Sequence, residues 1–261
     1  MKRRRYGAKI RPKEHLYLKV TKRYGRQASW LILVSVVLIL MGAELRHFLK
    51  TSPTFNLSKV VVRTNGSLDE ARVWKLIDEP QIFNVDLLRL SQRLEQLPEV
   101  KRAKVIRSLP DGLIVEVEER LPFAQIRSNR YFPVDGDGVI LPGVRNYPDQ
   151  NLPLIVGIGL KGDLVRVGKP YISTRLDKAL DLLDAISSSE SLKEKRVTRV
   201  DVRDLEDISF WTNENIEVRV GSGDFLAKIK LIDEVLKDLR PRERDIKYID
   251  LRFGDVAIGW K

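Results

Sequence analysis

Few groups in this chain could carry out chemistry, and they do not sit at spacings that would let them act together. Its 261 residues include two histidines, His15 and His47, and no cysteine. A His-based triad, a zinc centre or a thiolate nucleophile therefore has no raw material beyond residue 47. Gly221-Ser222-Gly223 lacks the Gly-x-Ser-x-Gly spacing of a nucleophile elbow, and there is no glycine-rich phosphate loop or dinucleotide fingerprint. Glu116 and Glu118 lie two apart in an alternating segment, which puts both on one solvated strand face. Asp135-Gly136-Asp137-Gly138 begins like a calcium loop, but the further oxygen ligands and the closing glutamate are missing. Asp-Gly pairs between apolar runs read instead as a hairpin turn. We expect no catalytic residue, no metal ligand and no cofactor, and a protein that works by binding.

Charge narrows the partners. The chain holds 47 Lys+Arg against 36 Asp+Glu, a net +11. Residues 1–26 contain eleven of the basic side chains and a single acid, Glu14, leaving 36 basic against 35 acidic groups on the rest. A basic tail on a nearly neutral body is poor evidence for a nucleic-acid-binding fold. At 43% apolar residues the body can bury a core, and without cysteine that core must hold by packing alone.

The tail runs into QASWLILVSVVLILMGA, residues 27–43, without a charge. The length and the apolar character on every side predict a membrane helix over 27–49, with Tyr24 and Trp30 as interfacial anchors. A cleavable signal is the competing reading, but the basic leader is long, and Met41 occupies the position two before Ala43 where a small residue is needed. The positive-inside rule then places residues 1–26 in the cytoplasm and the remainder outside.

Beyond the membrane, alternation predicts a strand over 55–63. Ser67 and Glu70 have capping-box spacing ahead of a short helix carrying Leu68, Ala71, Trp74 and Ile77. A second helix lies within 85–97, with Leu87, Leu90, Leu94 and Leu97 on one face and Pro98 as its stop. Strands over 100–108 and 112–119 come next, joined through Leu109-Pro110-Asp111-Gly112. The order is β-α-α-β-β.

In the distal part we expect a hairpin within 131–141 and a helix capped by Thr174 with Asp177. Strands are expected over 196–202, 208–212 and 216–220. Asp224 should cap a second helix, ended by Pro241, and a hairpin over 246–253 and 256–260 should turn at Gly254-Asp255. The expected fold class is α+β: one N-terminal transmembrane helix, the β-α-α-β-β unit, and a second α+β lobe with a mainly antiparallel sheet.

LPEVKRAKVIRSLPDGLIVEVEERLPFA, residues 97–124, resembles the POTRA domain of the bacterial FtsQ/DivIB division family. Leu97, Pro98, Val100, Ala103 and Val105 match its first strand pattern. Pro110, Leu113, Val115, Val117 and Glu119 occupy the second, with Val115 where the pattern has Ile, and Pro122 and Ala124 match the exit. Pro153 to Gly157 resembles a later step, and IDLRFGDVAIGW resembles the family's C-terminal signature with a turn one residue shorter. The resemblance implies four segments: a cytoplasmic tail (1–26), a transmembrane helix (27–49), a POTRA domain (50–124) and a β-rich C-terminal domain (125–261).

It also implies a non-enzymatic scaffold of the divisome, single-pass type II in the inner membrane, with its C-terminal domains periplasmic and enriched at the septum. The implied partners are FtsB and FtsL, with FtsB docked by strand addition at Arg252, Phe253, Gly254, Val256, Ile258 and Trp260. Other division proteins would dock on the POTRA domain, for which its edge strand offers a surface. No nucleic acid or small-molecule substrate is expected. Composition alone favours Phe253 and Trp260 as ordinary core residues, and the resemblance reverses that preference. A strand ending one residue before the last is in any case expected near a sheet edge, where an extended partner can pair. Two rival readings are a POTRA-bearing envelope transport component, which would generally bring several such units or a barrel, and a basic leader that binds nucleic acid or lipid.

Overall fold

The computed structural model describes residues 14–159, 165–192, 195–239, 246–253 and 255–261. Pro241, Gly254 and the first half of the basic leader, residues 1–13, lie outside these. The first element, α1 (Glu14–Thr51), is one helix of 38 residues, so the helix begins well before the expected membrane segment. Its stretch Ala28–Thr51 is long and apolar enough to cross a membrane, and none of it is buried against protein. Twenty-four residues rise about 36 Å, more than a hydrocarbon core of about 30 Å. Two hydroxyls within it turn back on their own helix: Ser35 Oγ donates to Leu31 O and Thr51 Oγ1 to His47 O, both at 2.8 Å. Internal satisfaction of this kind is what a lipid surrounding demands.

After a 3-10 turn at Pro53–Phe55 come β1 (Lys59–Thr64), α2 (Glu70–Trp74), α3 (Leu87–Glu95), β2 (Val100–Ser108) and β3 (Gly112–Glu119). They build a POTRA domain whose sheet runs β1-β3-β2, with β1 parallel and β2 antiparallel to the central β3. Alternation on β3 sends Leu113, Val115 and Val117 into a core with Val60, Leu90, Leu94 and Val105. The first strand begins four residues later than expected, because the chain about Pro53 winds into the 3-10 turn and Asn56 pairs with Gln81 in a single bridge. The capping box at Ser67 and Glu70 is replaced by Asp69, whose carboxylate accepts from Arg72 N at 2.9 Å.

Glu119 closes this unit. Its carboxylate accepts from Thr64 Oγ1 at 2.6 Å and Leu68 N at 2.7 Å, and its own N–H donates to Asn65 Oδ1 at 2.7 Å. The carboxylate lies against Gly66, leaving no room for a Cβ there. Burial alone would push this carboxyl up, but the bonds from Thr64, Ser67 and Leu68, with Arg72 nearby, hold it below its ordinary 4.5. A depressed folded value means that the site's contribution is complete above about pH 4.5 and is lost as pH falls through the lower folded value. We expect Glu119→Gln to cost about 1–3 kcal/mol at neutral pH and to flatten the acid limb of stability between about pH 5 and the folded value, measured by denaturant unfolding across pH.

The distal lobe contains β4 (Ala124–Arg127), β5 (Tyr131–Val134), β6 (Leu154–Val156), α4 (Thr174–Ser187), β7 (Val197–Asp201), β8 (Ser209–Thr212), β9 (Glu217–Arg219), α5 (Phe225–Leu239), β10 (Ile246–Asp250) and β11 (Ala257–Trp260). One sheet takes them in the order β11-β10-β9-β8-β7-β6-β4-β5. Antiparallel pairings predominate, while β4–β6, β6–β7 and β9–β10 are parallel. The register aligns one apolar row across all eight strands: Phe132, Ile126, Ile155, Val200, Phe210, Val218, Ile249 and Ile258. This row shares a core with Leu176, Leu180 and Leu183 of α4 and Ile229, Ile232 and Leu236 of α5. Ser173, not Thr174, caps α4, while Asp224 caps α5 as expected.

The two units meet at the Asp-Gly turn. Arg120 Nη1 lies 2.6 Å from Asp135 Oδ2 and 3.2 Å from Asp137 Oδ2, and Lys101 Nζ lies 2.8 Å from Asp137. Asp135 Oδ1 also accepts from the N–H groups of Asp137 and Val139. These carboxylates thus bind the POTRA strands to the lobe, and Asp135 is 4% exposed. Removing the arginine would leave a buried charge uncompensated. Arg120→Ala is expected to cost about 3 kcal/mol, and Arg120→Met with Asp135→Asn distinctly less, in denaturant unfolding of the two variants.

Candidate functional site

A sheet with two ends must dispose of two rows of unpaired backbone groups. At the β5 end the chain closes the row itself: Tyr131 N donates to Arg145 O at 2.9 Å, Arg145 N to Tyr131 O at 3.0 Å, and Leu141 N to Pro133 O at 2.8 Å. At the other end β11 pairs with β10 through Ile246↔Trp260, Tyr248↔Gly259, Ile249↔Ile258 and Asp250↔Ala257, and among the described residues nothing pairs with its outer side. The edge expected from the sequence is therefore an edge in the fold.

The residues expected to bind there fall into three groups. Val256 and Ile258 pack against the main core cluster. Phe253 is 82% exposed and Trp260 47% exposed, large apolar surface that water meets directly. Arg252 is held inside the protein's own network. Its Nε lies 2.9 Å and its Nη2 2.6 Å from the two oxygens of Asp250, its backbone N–H donates to the same carboxylate at 3.1 Å, and Nη1 reaches Asp207 at 3.1 Å. The guanidinium also stands 5.2 Å from the centre of the Phe253 ring. The bond from Arg252 holds the Asp250 carboxyl below the usual range against the opposing effect of burial, and the same pair raises the arginine. Gly254 lies outside the described residues.

Gly259 supports the edge in a way that nothing in the local sequence signals. The Tyr248 ring of β10 lies over it, so that a Cβ at 259 would fall among the ring atoms. A glycine in an edge strand is weak by itself, and an aromatic ring across it restores cover. Gly259→Val should therefore displace the ring and cost about 1–3 kcal/mol, with faster amide exchange in β11 than in β7 and β8. In a Tyr248→Ala background the same substitution should cost less, which a double-mutant cycle would measure.

The structure also reveals an internal repeat. β6-α4-β7-β8 and β9-α5-β10-β11 are each a strand, a helix, a parallel strand and an antiparallel return. Within two residues of each opening strand lies a glycine at positive φ, Gly157 (93°) or Gly221 (69°), pressed against the arginine two residues beyond the third element. That arginine closes an Asp-x-Arg hook in both units. Arg203 clasps Asp201 with Nε at 3.0 Å and Nη2 at 2.6 Å, just as Arg252 clasps Asp250. Val200-Asp201-Val202-Arg203 and Ile249-Asp250-Leu251-Arg252 are the sequence signal that could have exposed the repeat. In the first unit the outer side of β8 is covered by β9. In the second, the equivalent place beside β11 has no strand among the described residues.

Comparison with known proteins agrees with this architecture. Residues 55–120 match the family model of the FtsQ-type POTRA domain, and residues 123–252 match that of the C-terminal region of cell division protein FtsQ/DivIB. The second match includes the Asp250–Arg252 hook and stops short of β11. Cell division protein FtsQ of Syntrophotalea carbinolica is 28% identical over 208 residues, 78% of this chain and 73% of that protein. FtsQ of Geotalea daltonii is 26% identical over 247 residues, 93% and 88% of the two chains. Cell division protein DivIB of Clostridium acetobutylicum is 26% identical over 206 residues, 77% and 81%. With both folded units matched in order behind an apolar helix, the chain belongs to the FtsQ/DivIB family of cell division proteins.

Proposed function

We propose that this cell division protein is a membrane-anchored, non-catalytic assembly module of the divisome. In this reading residues 1–26 are cytoplasmic, 27–49 cross the inner membrane once, and the POTRA domain (50–124) and the C-terminal domain (125–261) lie in the periplasm at the septum. The main task is to capture the FtsB–FtsL complex, with an extended segment of FtsB added to β11 in the place that β9 takes beside β8. One observation carries the reading: among the described residues β11 is an open edge, flanked by two large exposed aromatics, Phe253 and Trp260. Edge pairing supplies backbone hydrogen bonds, and exposed aromatic anchors supply most of the discriminating energy in such contacts. Arg252 acts as a positioning residue, because its clasp on Asp250 and Asp207 sets where the chain leaves β10 and presents Phe253.

The test is capture of FtsB–FtsL by the full chain in detergent. Phe253→Ala and Trp260→Ala are each expected to weaken capture by about tenfold or more, with the folded lobe intact by circular dichroism. Undiminished capture by both variants removes β11 as the dock. A fluorescently tagged copy should gather at the septum of dividing cells, and a uniform envelope signal would count against the divisome assignment as a whole.

A further inference from the structure

The end of the POTRA domain that meets α1 has a character of its own. Phe48, in the last turns of the apolar helix, packs edge-on against Phe55 at 6.2 Å between ring centres, and Phe55 packs in turn against Phe83 at 5.1 Å. Gln81 Nε2 donates to Ser52 O at 3.0 Å and to Asn56 Oδ1 at 2.8 Å, and Ile82 N donates to Phe55 O at 3.0 Å. These bonds fix the segment 80–83 directly against the helix end. Further links gather the neighbouring loops to the same place. Arg107 donates to Ile82 O at 2.8 Å and Val85 O at 2.7 Å, Ser58 N donates to Asp111 O at 2.9 Å, and Lys59 is in register with Gly112. The start of β1, the β2–β3 turn and the N-terminus of α3 therefore form one end of the domain, next to the residues where α1 stops.

Between residues 55 and 120, the two most exposed large apolar side chains are Leu88 (69%) and Leu109 (62%), and both belong to this end. Leu109 sits at the tip of the β2–β3 turn and Leu88 in the first turn of α3. Lys59 and Arg89 are exposed beside them. The acids at this end are Asp86, which caps α3, Asp111, which Ser58 and Lys59 engage, and Asp78 and Glu79, which share a groove with Asp86 and Arg89, Asp78 being paired with Arg93. Two leucines could not hold a free protein on lipid. A domain already tethered by a membrane helix works at an effective concentration in the millimolar range, where burial of two leucines is enough to set its orientation.

We propose that this end of the POTRA domain is seated on the bilayer surface, with Leu88 and Leu109 inserted at the headgroup–acyl boundary and the neighbouring basic side chains toward the phosphates. The inference rests on α1 crossing the membrane and adds to it a fixed posture of the domain above the lipid.

The absence of cysteine makes the test direct. Full-length chains carrying Leu88→Cys, Leu109→Cys, Leu38→Cys or Ile172→Cys are labelled with an environment-sensitive fluorophore. They are then reconstituted in vesicles of phosphatidylethanolamine and phosphatidylglycerol. Leu38 lies within α1 and reports insertion, and Ile172, exposed in the distal lobe, reports the aqueous limit. Probes at 88 and 109 are expected to be shielded from acrylamide about threefold relative to 172 and quenched by headgroup-proximal nitroxide lipids. Water-like behaviour at both positions, equal to that at 172 while 38 is lipid-embedded, overturns the seating alone. A probe at 38 that is itself open to acrylamide overturns the membrane helix and the seating together.

Discussion

The distal lobe depends on the apolar row that the strand register draws from Phe132 to Ile258. Each member meets its neighbour across a ladder, and α4 and α5 cover the row from one side. The strands are short, three to five residues, so none carries a stable pattern alone. What fixes them is that a slip of one residue would turn the whole row to the other face and bring charged side chains beneath the helices. That face now carries Arg199 stacked 3.7 Å over Trp211, and Glu217, Arg219 and Tyr248 beside them. Register, core and surface chemistry are thus one constraint, and β11 is ordered because Ile258 extends the row by one more place.

The Asp-x-Arg hooks arise from the same geometry. Where β7 and β10 leave the sheet, the chain must turn sharply, and in both places an aspartate accepts from the backbone and guanidinium of the residue two positions on. Both carboxyls are held below the usual range, Asp250 chiefly by its bond to Arg252. At Asp201 burial is the largest single influence and opposes this, and the Arg203 bonds prevail over it. A charge-assisted hook at a strand end is a compact way to stop a strand and aim the chain beyond it. In the first unit the chain beyond the hook leads to β8 and its cover, β9. In the second it presents Phe253 and the open edge.

The sequence was most legible where local signals agree. Both β2 and β3 fall on their expected limits, because alternation over eight or nine residues is bounded by a turn with Pro110 and Gly112. Leucine spacing likewise located α3, and the Asp224 cap the start of α5. β4 and β6 went unseen because three or four residues, with Ile126 and Ile155 fully buried, carry no period to read. Helix caps shifted by a residue or two where several capping types stand in a row, as at Ser67, Asp69 and Glu70, or at Ser173 and Thr174, since spacing alone does not say which side chain meets the free N–H groups. The candidate edge was legible as a terminal strand. The ring over Gly259 was not, because it depends on the neighbour across the β10–β11 ladder, and the grip of Arg252 on Asp250, though only two residues apart, depends on where β10 ends. The repeat stayed hidden because its glycine and its Asp-x-Arg hook are separated by different lengths of chain in the two units.

The uneven charge of the chain has a physical setting in this fold. Nearly all the excess charge precedes an apolar helix that, among the described residues, touches the body only near its end, at Phe48, while the body beyond is close to neutral. A near-neutral body gains little long-range steering of partners, so its selectivity has to come from short-range features. Two such features are on the surface: an edge strand whose outer side meets no strand among the described residues, and a domain end with exposed leucines on the side of the apolar helix. Each is a group the fold leaves unsatisfied, and they lie in the two separate folded units. In the proposed role one chain would hold both contacts, so the stiffness between them matters as much as either contact. That stiffness rests on the aromatic chain from Phe48 to Phe83 at one joint and on Arg120, Lys101 and their two aspartates at the other. Loosening either joint would leave both contacts chemically intact and change only the geometry between them, so a loss of assembly without loss of binding is the signature that separates a connector from a simple dock.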